Sequence, residues 1–258
     1  MVLANTQTSR LRVRVISVSS RDDRRQYIAN HLRNWHLQWS FFDALTTDHP
    51  RYAYCEERAK LVKGRPLSGG ERGCFGSHVA CMIEFVEKSS DDFLFVIEDD
   101  VILDTNFNYG LIVGWMDKLG IEYLRLYSRY LFKARYILEI GQRQLIRFKN
   151  GPFGTQAYII SRSGAIQFLK SVSRCERPVD DALDRFWHNR LPPYAIFPYP
   201  ALEIEMASTV GRSDKQALNT SFAHQTMIRF ETMRRRIANL TLRARDRALR
   251  RAYLRLSG

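Results

Sequence analysis

Glu98-Asp99-Asp100 follows directly on Phe93-Leu-Phe-Val-Ile97, a short, continuous apolar run. Such a run reads as a strand buried in the middle of a sheet. In open α/β sheets, ligands bind at the carboxyl ends of the strands. Like charges crowded at such a point repel one another, so they call for a cation or a hydrogen-bonded ligand. Donors that are all oxygens suit Mn²⁺ or Mg²⁺ bridging a diphosphate. An acidic loop at a strand end, helped by a nearby helix dipole, is the other reading of the same three residues, and spacing alone does not separate the two.

Asp180, Asp181 and Asp184 follow Pro178 at the start of a predicted helix. Carboxylates favour helix N-termini, so capping explains at least one of them; the chemical reading is a general base. Arg21, Arg24 and Arg25 open the first predicted helix, where they meet either phosphates or solvent. His78 is a lone histidine on a helix, a packed residue or a site group. Ser68-Gly-Gly-Glu71 has the spacing of a capping box, which accounts for Glu71 without chemistry. The four cysteines, Cys55, Cys74, Cys81 and Cys175, show no CxxC spacing, and no histidine stands in zinc-finger register. Free thiols and no zinc site are expected.

These groups need a scaffold. Leu11–Val18 reads as a first strand, residues 22–35 as a helix with apolar Tyr27, Ile28, Leu32 and Trp35, and residues 38–42 as a second strand. Strand, helix, strand is the unit of a parallel sheet. A loop with a short helix over 44–66 precedes a helix that ends near Lys88. Beyond the acidic triplet come a helix over 107–119, a strand at 123–127, a hairpin pairing 135–140 with 143–148, and a strand at Ala157–Ser161. Helices follow over 163–173 and 180–189, and then Pro192-Pro193 and Pro198-Tyr-Pro200 break the chain. Residues 223–256 contain neither Gly nor Pro and are predicted helical.

The 258 residues are 45% hydrophobic, which excludes a disordered chain. No uncharged apolar run approaches the roughly 18 residues of a spanning helix. Met1–Thr6 lacks a basic segment leading into an apolar core, so no signal peptide is expected and a cytosolic location is. The net charge of +13 is uneven. Residues 228–258 hold ten arginines against Glu231 and Asp246, which is +8 of the total. Ile237, Leu240, Ala244 and Ala248 form a stripe at helical spacing there, the pattern of an amphipathic helix on an anionic leaflet. The alternative is a solvated helix packed on the domain. The expected division is a catalytic domain over 1–222 and a basic helix over 223–258.

Several ordered blocks resemble glycosyltransferase family 25, the bacterial lipooligosaccharide and lipopolysaccharide glycosyltransferases. They are Val15–Val18 with Asp23-Arg24-Arg25, Phe41-Phe-Asp-Ala44, Leu67–His78, Phe95–Ile102, Gly154–Ser161 and Pro178-Val-Asp180. The resemblance spans about residues 11–212. It implies an α/β, GT-A-like nucleotide-sugar transferase fold, with a mostly parallel central sheet flanked by helices. It also implies inverting transfer of a hexose, galactose by the family's habit, from a UDP-sugar donor to a lipid-linked oligosaccharide. By the same resemblance Asp100 and Glu98 hold Mn²⁺ or Mg²⁺, with Glu98 facing the ribose or metal-bound water. Asp99 belongs to the same donor-binding block, and Asp43 sits near the nucleoside. Arg24, Arg25 and His78 line the donor side, and Asp180 is the base. The triplet begins with Glu where other DxD enzymes have Asp. The expected location is peripheral, on the cytoplasmic face of the inner membrane. Two other readings stand beside this one: a basic nucleic-acid-binding protein, and an inactive family member that binds a sugar nucleotide without transfer. The first lacks any recognised nucleic-acid motif, and no nucleic-acid partner is expected.

Overall fold

The structure, a computed structural model, describes residues 10–130, 132–204 and 221–257. Met1–Thr6 and residues 205–212 of the family resemblance lie outside the described residues. In chain order the elements are β1 (Leu11–Ser17), α1 (Asp22–His31), β2 (Trp39–Asp43), α2 (Glu56–Lys63), α3 (Gly69–Lys88), β3 (Phe93–Glu98), β4 (Val101–Leu103), α4 (Tyr109–Leu119) and β5 (Tyr123–Arg125). Then come β6 (Ala134–Ile140), β7 (Arg143–Phe148), β8 (Ala157–Ser161), α5 (Arg162–Ser171), α6 (Val179–Asp184), α7 (Phe186–Asn189), β9 (Tyr194–Phe197), β10 (Ala201–Glu203) and α8 (Phe222–Ser257).

Eight strands form one sheet in the order β2-β1-β3-β8-β5-β9-β7-β6. β1 runs parallel to β2 and β3, and β5 parallel to β9. β8 is antiparallel to β3 and β5, and β7 to β9 and β6. Six strands therefore share a direction and only β7 and β8 oppose them, so the sheet is mostly parallel, as expected. Its order places β1 and β3 at the centre of the parallel end. There Ser17 and Glu98 finish their strands side by side, and β2 ends alongside at Asp43.

The alternation along β3 shows why a continuous apolar run was needed. Phe95 and Ile97 pack into a core with Ile28 of α1 and Ile112 and Met116 of α4. Leu94 and Val96 face the other way, into a core with Phe75, Val79 and Met82 of α3 and Phe168 of α5. A strand covered on both faces has no polar side until it leaves the sheet, and it leaves at Glu98. α3 starts where the sequence places it: the Ser68 hydroxyl accepts from the Glu71 amide, and the Glu71 carboxylate accepts from the Ser68 amide at 2.9 Å. Arg65 holds Glu71 from outside.

Two expectations change. The single helix predicted over 180–189 is broken at Arg185 (φ −81°, ψ 56°), giving α6 and α7. The Asn189 amide group donates to the Ala182 and Leu183 carbonyls freed by the break. Three short strands, β4, β9 and β10, were not anticipated. β9 lies between two proline pairs yet sits inside the sheet, where its partners β5 and β7 are distant in sequence.

α8 is docked along the domain rather than standing free. Buried Asp246 accepts from Arg147 Nε at 2.9 Å and from Arg147 Nη2 at 2.9 Å, and also from the Tyr194 hydroxyl. Glu231, one α8 face further up, takes Arg185 and the Trp187 indole N–H. Both acids of the basic tail are thus spent on the body, and they fix the helix's rotation. Removing one member of a buried pair leaves the other charge unpaired and costs about 3–5 kcal/mol. Asp246→Ala should lose about that much stability in denaturant unfolding, and the double variant Asp246→Leu/Arg147→Met should recover most of it. Deleting α8 would likewise remove the Arg147 partners Asp246 and Asn239.

Candidate active site

The carboxyl ends of β1 and β3 and the first three turns of α3 enclose a cleft of about 220 Å³. Ser17, Arg21, Arg24, Cys74, Ser77, His78, Glu98, Asp99 and Asp100 are on its walls, with the 44–46 segment along one side. That segment approaches closely because Gly73 has no side chain: a Cβ there would stand 2.7 Å from the Leu45 carbonyl oxygen.

The three carboxylates of the triplet do different things. Asp99 is turned inward and is 5% exposed. One of its oxygens accepts from the Ser17 hydroxyl at 2.6 Å and the other from Arg24 at 2.7 Å. It fastens the turn after β3 to β1 and α1, and both its oxygens are occupied. Glu98 accepts from the Thr155 hydroxyl at 2.8 Å and lies 3.4 Å from His78 Nε2. Burial pushes its carboxyl up, but His78, the Thr155 hydroxyl and Arg129 together outweigh this and hold it below its usual value. Asp100 is pushed up to about 7, by burial first and then by the charge of Glu98, with Arg24 opposing at 3.3 Å. Its Oδ1 is buried and has no hydrogen-bond partner among the described residues. An orphaned carboxylate oxygen beside a second carboxylate fits a divalent cation, the ligand chemistry that the family resemblance implies for Glu98 and Asp100.

Arg25 and Asp43 pair with each other at the rim, outside the cleft walls. Arg25 also donates to the Ser17 carbonyl and stacks over Phe41. His78 is 1% exposed, with Nδ1 3.0 Å from the buried Tyr158 hydroxyl and Nε2 turned toward Glu98.

The three aspartates of α6 separate cleanly. Asp181 is bound to Lys63 at 3.0 Å and to Arg177 at 3.4 Å. Asp184 is buried against Arg125 at 3.1 Å and accepts from the Phe153 amide at 2.8 Å. Asp180 has no ion-pair partner among the described residues; its oxygens accept the Gly154 and Asp181 amides. Gly154 has φ +81°, and a Cβ there would meet Gln156 and Tyr127 at 2.6 Å, so only glycine fits. This turn carries Thr155 to Glu98 and sets Asp180 near the triplet. The Cys74 thiol registers that proximity: burial pushes it well up, and the charges of Glu98, Asp180 and Asp100 add to the shift.

Glu203 was not found in the sequence. β10 pairs with β4 so that Glu203 stands opposite Val101, next to Asp100. It accepts from Tyr127, Arg129 and Gln156. Its neighbours come from segments distant in the chain, so no local spacing marks it. Cys74 and His78 did leave a signal, one helical turn apart, but their shared neighbour Glu98 enters only through the fold.

In a mixed α/β sheet the carboxyl ends of the parallel strands, where this carboxylate pair stands, are where ligands bind. Residues 11–183 match the profile described as "Glycosyltransferase family 25 (LPS biosynthesis protein)", and the chain belongs to that family. Relatives include the lacto-N-neotetraose biosynthesis glycosyltransferase LgtE of Neisseria gonorrhoeae, 29% identical over 167 residues, which are 60% of this chain and 58% of that protein. The lipooligosaccharide biosynthesis protein lic2B of Haemophilus influenzae is 24% identical, over 59% of this chain and 60% of its own. The lacto-N-neotetraose biosynthesis glycosyltransferase LgtB of Neisseria meningitidis serogroup B is 27% identical, over 71% and 64%. The matched region thus spans about three fifths of these relatives' length.

Among the described residues the Asp100 side chain is hydrogen-bonded to Arg24 alone, so its truncation should spare the fold. Asp100→Ala should abolish Mn²⁺-dependent binding of UDP in calorimetric titration while the far-ultraviolet circular dichroism stays unchanged. Metal-stimulated UDP affinity equal to that of the parent would remove Asp100 from the cation site.

Proposed function

We propose that this chain transfers a hexose, galactose in the first instance, from a UDP-sugar to a lipid-linked oligosaccharide of the lipooligosaccharide or lipopolysaccharide type, with inversion. The observation that carries this reading is a cation-suited carboxylate set, Glu98 and Asp100, with a third carboxylate, Asp180, close to the same Cys74 thiol and without an ion-pair partner among the described residues. Family membership supports the transferase class, and the relatives' names support the kind of acceptor.

Asp100 and Glu98 would hold Mn²⁺ or Mg²⁺, which when bound supplies positive charge for the departing diphosphate. Asp180 takes the proton from the acceptor hydroxyl, and that oxygen attacks the anomeric carbon from the face opposite the nucleotide. Two backbone amides fix the position of the Asp180 carboxylate. Arg24 and Ser17 hold the triplet's turn through Asp99 and keep Asp100 aimed into the cleft.

The test is UDP release from a panel of UDP-sugars, with and without a lipooligosaccharide acceptor and with and without Mn²⁺. One sugar should give metal-dependent, acceptor-stimulated release; no release with any sugar in the panel would overturn the reading. Asp180→Asn should lower kcat by roughly 10²–10⁴, the range for losing a general base. UDP affinity should hardly change. Asp181→Asn, whose carboxylate serves Lys63 and Arg177, should cost far less turnover. Near-normal turnover in Asp180→Asn would return Asp180 to a capping role.

The same proposal places the enzyme on the cytoplasmic face of the inner membrane through α8. No described helix is long and apolar enough to cross a membrane. With Asp246 and Leu249 turned into the body, the opposite side of α8 presents Phe230, Met233, Ile237 and Leu240, each half or more exposed. Exposed Arg229, Arg236, Arg243 and Arg247 run beside that stripe. An apolar line edged by arginines suits an anionic leaflet, where each basic residue contributes about 1 kcal/mol. Because α8 also holds the fold, the test alters only its outward face. Met233→Ser/Ile237→Ser/Leu240→Ser should lose binding to phosphatidylglycerol-containing vesicles while keeping parental unfolding behaviour. Undiminished sedimentation with vesicles would put the anchor elsewhere.

A further inference from the structure

Cys74 and His78 project from successive turns of α3 into the cleft wall, and Glu98 meets them from the end of β3. The Cys74 sulfur, a His78 ring nitrogen and a Glu98 carboxylate oxygen all lie within 4.8 Å of one another. His78 Nε2 is 3.4 Å from Glu98 Oε1, yet it is buried without a hydrogen-bond partner. Donors about 2.0–2.3 Å from a tetrahedral ion stand about 3.3–3.6 Å from each other, so this spacing is already that of two ligands of one metal. The other His78 nitrogen is held by Tyr158, the arrangement that orients a ligating histidine. Thr155 likewise supports Glu98 from outside.

We propose that Cys74, His78 and Glu98 form a binding site for a thiophilic divalent ion, Zn²⁺ first, distinct in chemistry from the carboxylate pair at Glu98 and Asp100. A thiolate and an imidazole select Zn²⁺ over Mg²⁺ and Mn²⁺, which prefer oxygen. The thiol proton is released on binding, as the ligand is the thiolate. Three protein donors leave one tetrahedral position open toward the cleft, which all three residues line. Glu98 belongs to both sets, so Zn²⁺ at Cys74 and His78 draws it away from Asp100. The soft-metal site therefore opposes the Mn²⁺- or Mg²⁺-dependent binding of nucleotide. This last consequence rests on the transferase reading, whereas the site itself does not.

Cobalt tests the site without any activity assay. Co²⁺ added to the reduced, metal-free full-length protein should give a near-ultraviolet thiolate-to-cobalt charge-transfer band, and one equivalent of Zn²⁺ should abolish it. Cys74→Ser should remove the band. Asp100→Asn should keep it. Tyr158→Phe, which frees the His78 ring, should weaken cobalt affinity by about 10–100-fold, the usual effect of losing such a support. Absence of the band in the parent protein, or its survival in Cys74→Ser, would overturn the proposal. In a second arm, Zn²⁺ should weaken Mn²⁺-dependent UDP binding in the parent and not in Cys74→Ser. If the band is present but UDP never binds, the nucleotide reading fails and the metal site stands.

Discussion

Crowded negative charge at the end of one buried strand governs this molecule. Glu98, Asp99 and Asp100 emerge together from β3, with Asp180 and Glu203 close by. Part of that charge is neutralised inside the protein, where Arg24 reaches from α1 to bind Asp99 and touch Asp100. A buried guanidinium with two carboxylates is stable only if its geometry is fixed from several sides. Ser17 supplies one such side from β1, and the parallel register of β1 with β3 supplies another. What Arg24 leaves over is the orphaned oxygen of Asp100, while Asp180 is held by backbone amides alone among the described residues.

Most of this arrangement was legible in the sequence, because its parts are local. A continuous apolar run ending in acids announces a strand end, and Ser68 with Glu71 announces a helix start. The order of blocks was enough to suggest the family. Local signals could not rank the three aspartates of α6. That distinction depends on Lys63 and Arg125, which come from other elements, and on Arg177 just ahead of α6. It likewise took the fold to show that Asp99 serves the protein while Asp100 faces the cleft. Arg25 and Asp43, both expected near the donor, spend their charges on each other at the rim.

What escaped the sequence has one physical cause. β4, β9 and β10 are three or four residues long, too short for periodicity to register, and each is stabilised by partners far along the chain. Glu203 rides on one of them. The Cys74 and His78 pair was visible as a spacing, but its third member arrives across the sheet. Sites assembled from both sides of a strand end are read from topology rather than from any one segment.

The docking of α8 has a mechanical meaning. Asp246 bolts its lower half to β7 through Arg147, and Glu231 clamps its upper half to α7 and the segment before it, next to the helix that bears Asp180. With two fixings the helix is held at two points relative to the strand ends that bear the carboxylates. Any surface that receives its outward stripe is therefore held at one height and one tilt from those strand ends. On the proposed membrane-docked transferase the body would work as a gauge: an acceptor would be served according to how far its terminal hydroxyl stands off the surface, so reach would join pocket shape in setting which glycans are extended.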